Sequence, residues 1–306
     1  MVRVIFIGGL GRSGTTLLER VLGELPGVCP LGEVVHLWRR DLCDDERCGC
    51  GRRFSTCQFW RKIGERAFGG WQNIDPVRIL ALRDAVERSR HIPRLAGRRL
   101  ADPHNELVAE YASYYARVYR AAAQVSGARA VIDSSKHASL AYCLRWSDQI
   151  DLRVIHMVRD SRGVAYSWTR SQDQPVATPE EPDRYQPGRA AMLWNAHNAA
   201  FGLLRRRGVA VHRIRYEQLL ADPAGTVRRI AEFAGLDGIG SLDFLTGDAV
   251  RLRPCHSAGG NPMRFASGEL ALRRDEGWRA SIPPRQRRLV GALTAPLLTV
   301  YGYGRH

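Results

Sequence analysis

A chain of 306 residues, 44% of them hydrophobic, is long enough for a substantial α/β core and too apolar to be disordered. Its net charge is +15, yet the basic residues run the whole length with no basic tail and no nucleic-acid motif, so no polynucleotide partner is expected. Of its 46 Lys and Arg residues only Lys62 and Lys136 are Lys, a bias that suits bidentate pairing with multiply charged phosphate-like anions.

Val2 to Ile7 is apolar and partly β-branched, Gly8 to Gly14 breaks the run, and Leu17, Leu18, Val21, Leu22 and Leu25 then recur at helical spacing. The opening therefore reads strand, glycine-rich turn, helix, with Pro26 and Gly27 ending the helix. The run after Met1 is too short for a secretory signal, and no apolar stretch reaches membrane-spanning length, so the cytoplasm is the expected compartment. A short segment with Glu33 leads to a cysteine-rich stretch, 42–60, which reads as an insertion. There Cys43, Cys48, Cys50 and Cys57 stand as C-x4-C-x-C-x6-C, a set that could hold a structural Zn²⁺, form disulfides, or be a loop with several thiols.

Phe59 and Trp60 open a helical region that continues, with interruptions, to about Arg90. Pro103 begins another helix, along which Leu107, Tyr111, Tyr114, Tyr115, Val118 and Tyr119 share one face and read as core. Trp38, Trp60 and Trp71 are assigned to packing as well, in preference to an apolar ligand pocket. Strands are expected at Ala130 to Ile132, Leu152 to Val158 and Val209 to Ile214, the last preceding a helix from Pro223 to Ala234. Between them, 172–187 carries Pro175, Pro179, Pro182 and Pro187 among acidic residues and reads as a mobile loop, either a lid or a solvated insertion.

Strands alternating with helices predict an α/β fold of the phosphate-loop type: a central, largely parallel β-sheet flanked by helices on both faces, in a single domain spanning 1–306. Ligands in such folds sit beyond the carboxyl ends of the strands. The polar residues of interest fall there repeatedly. Directly after the first strand stands Gly9-Leu10-Gly11-Arg12-Ser13-Gly14-Thr15-Thr16, in the frame of a loop whose backbone N–H groups cradle a phosphate. Thr15 occupies the position of the usual Lys, which weakens a nucleoside triphosphatase reading. Arg159-Asp160-Ser161-Arg162-Gly163 follows a later strand, with Ser167 one helical turn past Gly163, and Arg159 and Ser167 can converge on a second anion.

The Gly-Arg-Ser-Gly-Thr-Thr loop, with Arg159 and Ser167 at their relative spacing, resembles the two cofactor signatures of sulfotransferases that use 3′-phosphoadenosine 5′-phosphosulfate (PAPS). Asp133-Ser134-Ser135-Lys136, Arg215-Tyr216-Glu217, His256-Ser257, Gly260-Asn261-Pro262-Met263-Arg264 and the segment from Cys48-Gly49-Cys50-Gly51 to Cys57-Gln58-Phe59-Trp60 extend the resemblance over nearly the whole chain, the last to bacterial members. It implies that Arg12, Ser13, Gly14, Thr15 and Thr16 bind the 5′-phosphosulfate and that Arg159 and Ser167 bind the 3′-phosphate. It further implies that Tyr216 lies near the adenine and that the loop bearing Gly260, Asn261 and Arg264 closes over the nucleotide.

The implied reaction is in-line attack of an acceptor hydroxyl on sulfur, releasing 3′-phosphoadenosine 5′-phosphate (PAP), with no catalytic metal. Lys136 and Arg12 are the candidates to stabilise the leaving phosphate. Branches of the family differ in the general base: one pattern matches Glu33, preferred for its Leu31-Gly32-Glu33 setting, and the other matches His137. The acceptor and the oligomeric state are not legible. A kinase would instead need a Mg²⁺ carboxylate, for which Asp133 is the candidate, and a silent nucleotide or polyanion binder would not need Glu33, Lys136 and Arg12 together.

Overall fold

A strand that is apolar on both faces must be covered on both sides. In the computed structural model, which describes residues 1–170 and 185–304, that strand is β1 (Val2–Gly8). Val4 and Phe6 enter one core and Ile5 and Ile7 the other. With β2 (Val28–Pro30), β3 (Ala130–Lys136), β4 (Ile150–Val158) and β5 (Ala210–Arg215) it forms a five-stranded sheet of order β2-β3-β1-β4-β5. Every pairing is parallel, and the register sets Gly8 level with Lys136 on one side and His156 on the other. The chain leaves β1 toward β2 and leaves β4 toward β5, so the switch point of the fold lies between the ends of β1 and β4, where open α/β sheets bind ligands.

The helices Thr15–Leu22 and Pro223–Phe233 cover the Ile5 face. His104–Ser126, Ala138–Leu144 and Pro187–Arg206 cover the Val4 face. The expected aromatic stripe is core: Tyr111, Tyr115 and Tyr119 are fully buried, while Leu107 and Tyr114 pack at its margin. Trp38 and Trp60 are sealed, and the half-buried Trp71 donates its indole N–H to the Trp60 carbonyl at 2.9 Å. No helix among the described residues is long and apolar enough to cross a membrane.

The interrupted helical region expected after Phe59 is two helices, Gln58–Phe68, closed by Gly69 at φ 71°, and Pro76–Val86, whose N-terminus is capped by the Asp75 carboxylate. Two features depart from the expected elements. β2 was not expected. Nor was a small antiparallel sheet of β6 (Leu245–Thr246), β7 (Ala249–Leu252) and β8 (Gly268–Ala271), which shares the Ile5-face core through Val250 and Leu252. Of the expected loop 172–187, residues 172–184 lie outside the described residues, and Pro187 opens the helix Pro187–Arg206.

Inside the sheet, Asp133 of β3 is fully buried and accepts hydrogen bonds from the Tyr119 hydroxyl and from the hydroxyl and N–H of Ser135. Burial pushes this carboxyl up to about 6, against the pull of those donors. Because the folded value lies above the unfolded one, the stabilisation from its protonation is complete below about pH 4 and is lost as pH rises through the folded value. Tyr119→Phe is therefore expected to cost about 1–3 kcal/mol near neutral pH and less at about pH 5. Urea unfolding at the two pH values checks this.

Candidate functional site

At the end of β1 the backbone turns sharply. Gly9, at φ 149°, donates its N–H to the Lys136 carbonyl at 3.3 Å, which ties the loop to the end of β3. Ser13 N–H closes on the Leu10 carbonyl at 3.2 Å, and Gly14 caps the helix Thr15–Leu22 at φ 87°. That position needs glycine twice over, since the left-handed backbone disfavours any Cβ and a Cβ there would fall on the Tyr216 ring. The helix has no acidic residue in its first turn, so its N-terminal N–H groups present unopposed positive charge. Ser13 and Thr15 are buried, whereas Arg12 and Thr16 are half-buried.

Across the switch point, Arg159 follows β4 and is 6% exposed. Its guanidinium donates to the Arg12 carbonyl at 3.0 Å, pairs with Asp275 at 3.0 Å, and lies 4.8 Å from the Tyr216 ring centroid. The structure thus brings together Arg12, Gly14, Arg159 and Tyr216. Trp168 joins them, its ring 5.2 Å from the Arg12 guanidinium. Ser167 is half-buried on the helix Ser161–Arg170. Arg162 is a strut, bonded bidentately to Asp160 at 2.9 and 2.7 Å.

At the end of β3 stands an ion pair. Lys136 Nζ donates to Glu33 Oε1, and both groups are largely buried, at 15% and 5% side-chain exposure. Among the described residues only Arg12, Asp45 and Lys136 hold positive φ without being glycine. Two of those three strained positions are the candidate leaving-group cations, a pattern typical of sites where geometry is imposed. Burial alone pushes Glu33 up, but the Lys136 ammonium and His36, 3.5 Å away, hold its carboxyl far below the usual carboxylate range.

His137, the other candidate base, is 38% exposed at the side chain and sits 3.4 Å from Glu87, which burial raises and His137, Arg83 and Ser139 lower to a net downward shift. Its ring lies 6.3 Å from that of His36, so Glu33, His36, His137 and Glu87 form one chain of titratable groups. His137, Glu87 and Ser139 line a cavity of about 570 Å³, together with the charged or polar Arg83, Arg88 and His197 and the apolar Ile92, Ala200 and Leu203.

The segment after His256 packs behind Glu33. Ala258 bonds Leu31 and Glu33 through backbone contacts of 2.7 and 2.9 Å, and a Cβ on Gly260 would meet the Glu33 carboxylate. Asn261 Oδ1 accepts from Met263 N–H at 2.9 Å. Arg264 donates to the Gly260 and Arg47 carbonyls and to Glu46, fastening this loop to the cysteine-rich segment. Behind the sheet, Glu19 of the first helix accepts from Ser134 and Ser257, each at 2.8 Å.

Two expectations are corrected. Asp133 cannot hold a metal at the site, because it is sealed and its oxygens are taken by Tyr119 and Ser135. Cys43 is not a member of the cysteine cluster: it is exposed and donates to the Trp38 carbonyl at 3.2 Å. His256 takes its place beside Cys48, Cys50 and Cys57, a partner some two hundred residues on that spacing within 42–60 could not reveal. No disulfide joins any of the seven cysteines. Asp275 and Trp168 were also missed, since neither stands in a local motif.

This is a phosphate-loop α/β architecture with a second cationic site one strand away. The family model described as "Sulfotransferase family" matches residues 4–239, and the chain belongs to that family. Three solved structures are similar to it. The sulfotransferase domain from the curacin biosynthetic pathway is 16% identical, with 96% of this chain and 98% of that chain covered at a TM-score of 0.48. A sulfotransferase from Mycobacterium avium is 14% identical, with 99% and 78% covered at 0.47. A mouse sulfotransferase complexed with PAP is 13% identical, with 97% and 85% covered at 0.44. No curated protein sequence matches significantly.

Removing one partner of a buried ion pair strands the other. Lys136→Met is expected to cost about 3–5 kcal/mol near pH 7. Adding Glu33→Gln should restore most of that loss. Wild-type Glu33, with its depressed folded value, contributes stability above about pH 4 that is lost as pH falls. In Lys136→Met burial raises Glu33 instead, so the variant's deficit should shrink on acidification. Urea unfolding of both variants across pH tests this.

Proposed function

We propose that this single-domain chain transfers a sulfuryl group from PAPS to a hydroxyl, or similar nucleophile, of an acceptor molecule. The observation that carries the reading is the pair of separated cationic sites: a helix N-terminus with Arg12 at the end of β1, and Arg159 at the end of β4 against Tyr216. A nucleotide with a 3′-phosphate and a 5′-phosphosulfate needs two such sites, whereas a triphosphate concentrates its contacts in the first loop. Thr15 in the Lys position and the sealed Asp133 both weigh against a kinase. The buried, strained Lys136 and its carboxylate partner weigh against a silent binder, which has no use for them.

In this reading the loop N–H groups, Arg12, Ser13, Gly14, Thr15 and Thr16 receive the phosphosulfate, and Arg159 and Ser167 receive the 3′-phosphate. Tyr216 borders the adenine, while the loop bearing Gly260, Asn261 and Arg264 closes over the nucleotide. Lys136 and Arg12 meet the charge that develops on the bridging oxygen. Glu33 takes the acceptor proton. Its pairing with Lys136 keeps it ionised and a weak base until the donor arrives. Drawing Lys136 toward the phosphosulfate leaves the carboxylate less compensated and raises its proton affinity, so donor binding readies the base. The acceptor enters the cavity beside His137, whose mixture of polar and apolar lining residues suits a small amphipathic molecule. That exposure is also the observation favouring a second reading, in which His137 is the base.

Titration calorimetry with PAP, beside ATP with Mg²⁺ and AMP, tests the donor. Selective binding of PAP that weakens about tenfold or more in Arg159→Ala is expected, and indifference to the 3′-phosphate would overturn the proposal. With a donor-hydrolysis or acceptor assay in hand, Glu33→Gln should lower kcat by roughly 10²–10⁴-fold while PAP affinity stays within a few-fold. The reverse pattern, with His137→Ala carrying the loss, would move the base to His137.

A further inference from the structure

We infer that Cys48, Cys50, Cys57 and His256 bind one Zn²⁺ in a closed structural site. Their ligand atoms all lie within 4.8 Å of one another. Cys57 Sγ is 3.7 Å from Cys48 Sγ and 3.8 Å from Cys50 Sγ, and His256 Nδ1 is 3.3 Å from Cys57 Sγ and 3.8 Å from Cys48 Sγ. A tetrahedral zinc with Zn–S near 2.3 Å and Zn–N near 2.05 Å has S···S edges of about 3.8 Å and S···N edges of about 3.5 Å. Four of the six edges therefore already stand close to the lengths of a Cys₃His tetrahedron, and the remaining two, from Cys50 to Cys48 and to His256, are within 4.8 Å. A disulfide would need two sulfurs at about 2.05 Å and would leave the third thiol and the imidazole converging for no reason.

The surroundings are built for such a site. Cys48 and Cys57 are buried, and Phe59 stacks on the His256 ring at 4.8 Å with a 17° tilt. Trp60 donates its indole N–H to the His256 carbonyl at 2.8 Å, which fixes the ring's backbone. Such contacts around the ligands set imidazole orientation in metal sites. The turn that brings Cys48 and Cys50 together passes against the 255–257 segment so closely that a Cβ on Gly49 would stand 2.9 Å from Cys255 Sγ and 3.1 Å from Ser257 N. Gly49 N–H bonds the Ser257 carbonyl at 3.0 Å.

On binding, the three thiols release their protons to solvent and the site carries one net negative charge. The metal then closes a link between segments 199 and 208 residues apart in sequence. That link holds the strand-like segment whose Ala258 pairs with Leu31 and Glu33, so it fixes the wall against which Glu33 rests. The inference does not depend on the proposed reaction.

The test uses the full chain purified under reducing conditions from zinc-supplemented cells, without a polyhistidine tag. Elemental analysis should find about one zinc per chain. A thiol-blocking reagent should release it to a chromophoric chelator and lower Tm. Exchange with Co²⁺ should give sulfur-to-cobalt charge-transfer absorption and tetrahedral d–d bands. Cys43→Ser should keep the zinc, His256→Ala should weaken it, His256→Cys should restore it, and Cys48→Ser with Cys57→Ser should abolish it. Wild-type protein that is folded by circular dichroism but holds no zinc and gives no cobalt bands overturns the inference, whatever the variants do. So does zinc that persists without Cys48 and Cys57, or that is lost with Cys43.

Discussion

The site depends on the parallel pairing of β1 with β3 and β4 at once. Backbone hydrogen bonds hold neighbouring strands about 4.8 Å apart, and the register makes Gly8 level with Lys136 and His156. No side chain has to be steered over a long distance. The Gly9 N–H bond to the Lys136 carbonyl and the Arg159 bond to the Arg12 carbonyl sew the three strand ends together. The connections that leave β1 and β4 in opposite directions open the crevice between them. At that crevice a helix N-terminus, Arg12 and Arg159 stand together.

Burial sets the electrostatics of the carboxylates, and neighbours decide the sign. Glu19, Asp41 and Asp133 are all nearly sealed, and burial raises each of them. Hydroxyl donors around Glu19 and Asp133 reduce that rise but do not reverse it, because a neutral hydrogen bond recovers only part of a carboxylate's hydration. Glu33 is as buried as they are, yet its shift is downward, because it faces the Lys136 ammonium and the His36 imidazole, as the equally buried Glu87 is lowered by His137 and Arg83. A buried charge with so specific a partner is costly to build. Its partner Lys136 ends β3 at positive φ, and in the proposed reaction that cost is borne for chemistry rather than for stability.

What the sequence made legible was what is local. The strand, glycine turn and helix at 2–22 announce themselves through a change of period, and Arg159 stands directly after an apolar run, whereas Tyr216 was reached only through family resemblance. β2 could not be read, because three residues ending in Pro30 carry no period. The small antiparallel sheet has strands of two to four residues whose apolar character makes sense only against the helix Thr15–Leu22. The same limit applies to the site. Lys136 stood out by rarity and by its strand end, but its partner Glu33 is 103 residues away and was reached only through family resemblance. Spacing assigned Cys43 to the thiol cluster because sequence distance is all that spacing measures. His256 was invisible to it for the same reason.

The two halves of the site are also joined from behind, and this bears on how precisely Glu33 can be held. Glu19 of the first helix accepts from Ser134 of β3 and from Ser257, so one carboxylate links the phosphate-loop helix, the strand that ends at Lys136 and the segment that packs on Glu33. Arg264 ties that same segment to Glu46 and the Arg47 carbonyl on its outer side. In the proposed reaction Glu33 must stay within hydrogen-bond reach of the acceptor's proton, and a carboxylate on a loop gains that from its neighbours. The loop's rigidity is supplied by the 256–260 segment, which is anchored at one end to the cysteine-rich turn and along its length to Leu31 and Glu33. The cysteine-rich stretch, which reads in sequence as an insertion far from any chemistry, is thereby a mechanical part of the site.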